Sequence, residues 1–210
     1  MTDILRPVEN FFSRALAEHG AIHKAVDWPD LNQQITRFTQ LHRLFEYSDS
    51  FDLMDYGCGY GAMLDYLTVA HTPVTYWGYD ISNAMLAAAR DTHPGMANHF
   101  LSKVPEGTVY DYVVASGIFN LKNDIPVTTW EEIVHKTIDK FDALSSRGFA
   151  FNMLTSYRDS RRKRPHLYYG DPLHYFDFCF RKYSPNVALA HDYNLWDFTI
   201  IVRKSEGQNS

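Results

Sequence analysis

Asp55-Tyr56-Gly57-Cys58-Gly59-Tyr60-Gly61 is the stretch that decides how this chain folds. Phe51–Asp55 is a short apolar run of strand type, and Gly61–Val69 has the composition of a helix. A strand that passes through closely spaced glycines into a helix makes a tight turn, and the missing side chains let a ligand approach the backbone. Taken alone, the glycines also fit an ordinary strand-to-helix turn. Their surroundings are more specific. The next apolar run, Val74–Tyr79, ends at Asp80, 19 positions after Gly61. A carboxylate at that point can hold both hydroxyls of a ribose. Ile81 follows directly and Met85 lies one helical turn on, where the two side chains can sandwich an adenine.

Downstream, strand and helix patterns alternate. The spacing predicts a helix over Ala84–Thr92, a short strand over His99–Leu101, a strand over Tyr110–Ser116 and a helix over Thr129–Leu144. It then predicts a strand over Phe149–Leu154, a helix over Tyr175–Lys182, and strands over Val187–Ala190 and Phe198–Arg203. Alternating units of this kind imply a parallel sheet covered by helices. The last two strands have no helix between them and should pair antiparallel. Upstream there are helical patterns only. Val8–His19 stops at Gly20, and Leu31–Glu46 follows a capping Asp30, with His23, Asp27, Trp28 and Pro29 in the loop between them. Residues 1–46 therefore read as an N-terminal helical extension or cap, 47–204 as one α/β domain, and 205–210 as a disordered tail.

Composition sets outer bounds. A chain of 210 residues with 45% hydrophobic and 21% charged residues can bury one substantial core. The net charge of −5 gives no overall attraction to nucleic acid. Cys58 and Cys179 are far apart and belong to no CxxC pair, so neither a disulfide scaffold nor a metal site is expected. The first 20 residues are interrupted by charges and no later stretch suits a bilayer, so a cytoplasmic protein without membrane contact is expected. Oligomeric state is not legible.

Three runs in order, DYGCGYG (55–61), GYDISNAML (78–86) and YDYVVASGIFN (110–120), resemble the motifs of class I S-adenosylmethionine-dependent methyltransferases. The resemblance extends from Phe51 to Lys204. It implies a Rossmann-like methyltransferase fold: a mostly parallel seven-stranded sheet with an antiparallel closing strand, flanked by helices. It also implies S-adenosylmethionine as cofactor. Asp55, Gly57 and Cys58 would then lie near its methionine portion, Gly59 near the ribose, Asp80 on the ribose hydroxyls, and Ser116 beside the amino group. Related enzymes often take an arginine from the helix before the first strand to the methionine carboxylate. Arg37 fits that role, since a guanidinium forms a forked pair with a carboxylate, although it could also be a solvated helix residue. Such enzymes often place an acid near the adenine amino group after the third strand. The segment Leu101–Glu106 assigns no residue to that contact.

Ligands of open parallel sheets bind beyond the carboxyl ends of the strands. That rule points to Asn120 after the fourth strand and to Thr155 and Tyr157 after the fifth. Tyr168 and Tyr169 follow in the next insertion, and His191 and Asp192 end the sixth strand. These are the candidate acceptor residues. His191 is the candidate general base, because an imidazole titrates near neutrality. It reads equally well as a structural histidine, and its neighbour Asp192 should diverge from it along an extended chain. His174 is a weaker choice. Tyr168 and Tyr169 could wall an acceptor pocket or pack on the core. The basic run Arg158, Arg161, Arg162, Lys163 and Arg164 fits a solvated loop better than a lid for an anionic acceptor. Ser116-Gly117-Ile118-Phe119-Asn120 replaces the Asn/Asp-Pro-Pro-Tyr of enzymes that methylate amino groups of DNA and of protein glutamine. A small-molecule acceptor, a metabolite or sugar derivative, is therefore expected over a macromolecule; oxygen is the preferred methyl acceptor, then nitrogen. Two other functions share the glycine loop. Gly57-x-Gly59-x-x-Ala62 also fits a nicotinamide oxidoreductase, against which stand Asp55 and the lack of a substrate domain. The third possibility is a protein that binds S-adenosylmethionine without catalysis.

Overall fold

The structure is a computed structural model that describes residues 2–26, 30–45 and 49–204. Helices α1 (Thr2–His19) and α2 (Leu31–His42) precede β1 (Phe51–Tyr56), α3 (Ala62–Val69), β2 (Val74–Tyr79) and α4 (Asn83–Thr92). Then follow β3 (Phe100–Leu101), β4 (Tyr110–Ala115), α5 (Val127–Leu144), β5 (Ser145–Leu154), α6 (Pro172–Lys182), β6 (Val187–Ala190) and β7 (Asp197–Arg203). The seven strands form one sheet in the order β3-β2-β1-β4-β5-β7-β6. All neighbours are parallel except β7, which runs antiparallel to both β5 and β6. The sheet is that of the fold the sequence predicts, including its antiparallel closing strand.

Period-two side chains send β1 into two cores. Phe51 and Leu53 face the layer built by α2, α3 and α4, while Met54 joins the layer under α5 and α6. Because both faces are covered, strands such as Tyr110–Ala115 and Phe149–Leu154 read as near-continuous apolar runs and are buried throughout or nearly so.

Some element boundaries differ from the sequence patterns. Helix α1 starts at Thr2, through Pro7, because the stripe Leu5, Val8 and Phe12 continues to find apolar partners. Strand β5 starts at Ser145, four residues before the apolar run, since Tyr110 and Tyr112 of β4 pair with Ser145 and Gly148. Helix α6 starts at Pro172, with Asp171 accepting from the Leu173 amide and proline in the first turn. Helix α2 ends at His42 in a turn through Phe45. Its predicted last residue Glu46, loop residues Asp27, Trp28 and Pro29, and the tail 205–210 lie outside the described residues.

The N-terminal helices are packed against the sheet domain. Helix α1 meets α4, and Ser13 Oγ is hydrogen-bonded to Ser82 Oγ at 3.0 Å. Helix α2 contacts α3, β5 and β7. Among the described residues no helix is long and apolar enough to cross a membrane.

Candidate active site

The glycine loop is tied to the end of β2. The Gly57 and Cys58 amides both donate to the Tyr79 carbonyl, at 2.6 and 2.9 Å. Gly57 has φ +87°, and a Cβ there would collide with the side chain of Ile118, so the loop closes on the β4 turn only without one. Gly78 does the same for the neighbouring strand, where a Cβ would lie 2.8 Å from Cys58 Sγ. Cys58 is thereby buried beneath the loop, and it contributes packing to the α2–α4 core.

Asp80 ends β2 half-buried. Its Oδ2 accepts from the Gly59 amide at 2.9 Å and its Oδ1 from the Ser82 amide at 2.8 Å. Burial raises its pKa, against the lowering effect of those amide bonds. Each oxygen retains a lone pair for a ligand donor. Ser82 in turn caps α4 by accepting from the Met85 amide. Asp55 lies deeper, 3% exposed, where it accepts from Tyr76 Oη at 2.7 Å. Burial pushes it up to about 7, helped by the charge of Asp80 and opposed by the Tyr76 hydrogen bond.

These elements border a cavity of about 320 Å³ at the carboxyl ends of β1, β2 and β4, a size common for small-ligand pockets. Gly57, Gly59, Asp80, Ile81, Met85 and Ser116 all line it. So six of the predicted cofactor residues converge on one space. Asn152, fully buried on β5, fixes its far wall: Oδ1 accepts from the Gly117 amide at 2.8 Å, and Nδ2 donates to Ser116 Oγ at 3.3 Å.

The remaining predicted residues lie elsewhere. Arg37 is not on the cavity. It is 4% exposed, and its guanidinium pairs with Asp197 at the start of β7 and donates to the Gln33 carbonyl. Asp197 is fully buried, and the Arg37 guanidinium is the group that most favours its ionised form against the cost of burial. Tyr168 packs in the core with its hydroxyl 2.8 Å from that of Tyr175 and bonded to Glu131. Tyr169 accepts from the Arg164 amide, and Lys163 lies over its ring. Asn120 joins the β4 turn to the end of β5, its Oδ1 accepting from the Leu154 amide at 3.0 Å. Thr155 is buried and accepts from the Tyr157 amide. Tyr157, His191 and Asp192 are exposed at the ends of β5 and β6, with the Tyr157 and His191 rings edge to face at 5.9 Å. Neither ring nitrogen of His191 has a hydrogen-bond partner among the described residues.

Two walls of the cavity were not legible in the sequence. Leu5, Val8, Glu9 and Phe12 of α1 cover the cavity, while Trp130, Ile133 and Thr137 of α5 close it opposite. Their helical spacing was visible as ordinary amphipathic patterning, which does not say what a helix covers.

An acid at the end of β2, a glycine turn and a polar β4 end around one cavity are the arrangement of a class I methyltransferase. The chain belongs to the methyltransferase-domain family, whose model matches residues 12–194, and it is an S-adenosylmethionine-dependent methyltransferase. It is 46% identical over 164 residues to the "Putative methyltransferase Rv1506c" of Mycobacterium tuberculosis, covering 78% of this chain and 99% of that protein. Its fold matches that of the S-adenosylhomocysteine complex of DhpI, at TM-score 0.65 and 14% identity over 97% of this chain and 98% of that one. It also matches magnesium protoporphyrin IX methyltransferase of Synechocystis PCC 6803 with bound S-adenosylhomocysteine, at TM-score 0.64 and 13% identity over 97% and 100%.

Proposed function

We propose that this enzyme transfers the methyl group of S-adenosylmethionine to an oxygen of a small-molecule acceptor, a metabolite or sugar derivative, in the cytoplasm. The observation that carries the reading is the convergence of Gly57, Gly59, Asp80 and Ser116 on one cavity at the carboxyl ends of the strands. The ribose hydroxyls would donate to the free lone pairs of Asp80, with the adenine beside Ile81 and Met85. The methionine portion would run along Gly57 towards Ser116, with Asp55 beneath it. The sulfonium methyl would then point beyond the ends of β4 and β5, towards Asn120, Tyr157, His191 and Asp192. In-line transfer needs the acceptor oxygen held against that methyl, and proximity supplies much of the rate. His191, whose ring nitrogens have no hydrogen-bond partner among the described residues, would accept the hydroxyl proton. Arg37 is reserved for Asp197, and Tyr168 for the core. The magnesium protoporphyrin IX methyltransferase that shares the fold acts on a small molecule, which agrees in kind. Two free buried cysteines suit a reducing compartment.

Turnover of methyl-labelled S-adenosylmethionine with a fractionated metabolite extract tests this. Label should appear in a low-mass product as a base-stable methyl ether. Label in protein or nucleic acid, or in an amine, would overturn the acceptor assignment.

A further inference from the structure

Helix α1 turns four side chains towards the cavity at helical spacing, Leu5, Val8, Glu9 and Phe12. Three are apolar and belong to the core packing. Glu9 is the exception. It is half-buried, and among the described residues its carboxylate makes no hydrogen bond or ion pair. A carboxylate on the inner face of a packed helix costs free energy unless a donor meets it. Its position is fixed one turn away, where Ser13 is bonded to Ser82 at 3.0 Å. Ser82 lies two residues past Asp80, so α1 is anchored beside that acid; Glu9 lines the same cavity as Asp80, and its charge is among those that disfavour ionised Asp80. Two carboxylates therefore share a cavity that, among the described residues, is lined by no side-chain cation. Such a pair calls for a ligand rich in donors.

We propose that Glu9 is a cofactor-specificity residue that accepts a hydrogen bond from the exocyclic amine of the adenine. The proposal rests on the reading that places the ribose at Asp80. Adenosine offers two ribose hydroxyls and one amine as donors. Asp80 has two lone pairs left after its amide bonds, which matches the two hydroxyls and leaves the amine. The end of β3, where an acid would otherwise meet that amine, presents Ser102 to the cavity. The N-terminal helix thus supplies the carboxylate that the sheet does not.

A switch of base preference tests it. S-adenosylhomocysteine carries the amine, whereas S-inosylhomocysteine carries a carbonyl that a carboxylate repels. Binding of both is measured by calorimetry to the wild type and to Glu9→Gln, whose amide can also donate. The wild type should prefer the adenosyl ligand, and Glu9→Gln should reduce that preference by roughly tenfold or more, the scale of one hydrogen bond. Glu9→Ala should weaken the adenosyl ligand and leave the inosyl ligand unchanged or tighter. Melting temperatures without ligand should not fall, because Glu9 has no protein partner to lose. An unchanged preference in Glu9→Gln overturns the proposal, whatever happens to absolute affinity. Failure of the underlying reading shows separately, as Asp80→Ala binding S-adenosylhomocysteine like the wild type.

Discussion

Replacing Asp80 with alanine should weaken S-adenosylhomocysteine binding and loosen the loop that holds it, and the two effects separate. Both carboxylate oxygens are bonded on the protein side, to the amides of Gly59 and Ser82. What remains for a ribose is one lone pair on each. Hydrogen bonds to a charged acceptor contribute roughly 1.5–3 kcal/mol. Water admitted by the alanine recovers part of a second bond, so the expected loss stays within that range. The dissociation constant should then rise by roughly 10- to 150-fold. The protein-side cost comes from two amides left without an acceptor, on the order of 1–3 kcal/mol of stability. Asp80→Asn tells the two apart. Its single oxygen can satisfy one amide, whereas its NH₂ group opposes the other. Calorimetric titration with S-adenosylhomocysteine, beside a thermal melt of each variant, reads both quantities. A folded Asp80→Ala whose affinity stays within twofold of the wild type would refute the ribose assignment.

Asp55 governs a pH dependence whose sign follows from burial. Its folded pKa of about 7 lies above the ordinary 3.8, so its contribution is fully present below about pH 4 and is lost as pH rises through 7. The loss is on the order of 4 kcal/mol, and Asp55→Asn should raise the melting temperature relative to the wild type at pH 8 but not at pH 4; equal shifts at both would contradict it. Arg37→Ala should cost roughly 3–5 kcal/mol in denaturant unfolding, because it strands the buried Asp197, while cofactor affinity in the folded fraction stays unchanged. A loss of affinity without loss of stability would return Arg37 to the cofactor. His191→Ala should lower turnover by about 10²–10⁴-fold at unchanged cofactor affinity, as read by steady-state kinetics beside calorimetry. Near-normal turnover in His191→Ala would leave transfer to proximity alone.

What was legible in the sequence was local in the chain. The glycine turn, Asp80 at the end of β2 and Ser116 at the end of β4 are each set by a strand that stops. Strand ends show in apolar runs broken by glycine or by an acid. Parallel order then brings those ends to one edge without further information, which is why six predicted residues share the cavity. Residues placed by distant partners were not legible. Arg37 was open to a cofactor role because Asp197, 160 positions away, gives no local sign that it will be buried against α2. Tyr168 looked like a pocket wall because its hydroxyl partners, Tyr175 and Glu131, come from two other segments.

The same contrast explains why the N-terminal helices carry more of the chemistry than their patterns suggest. Helix α2 brings the cation that balances Asp197, which otherwise sits fully buried where β7 begins beside the end of β5. Helix α1 reaches α4 through Ser13 and roofs the cavity between them. An apolar stripe broken by one glutamate is weak evidence in a sequence, because a single solvated carboxylate on a helix is ordinary. In the fold that carboxylate lines the cavity and is half-buried, not fully solvated. A half-buried carboxylate is favoured where a donor meets it, and the cavity it lines is the one in which we propose the nucleoside binds.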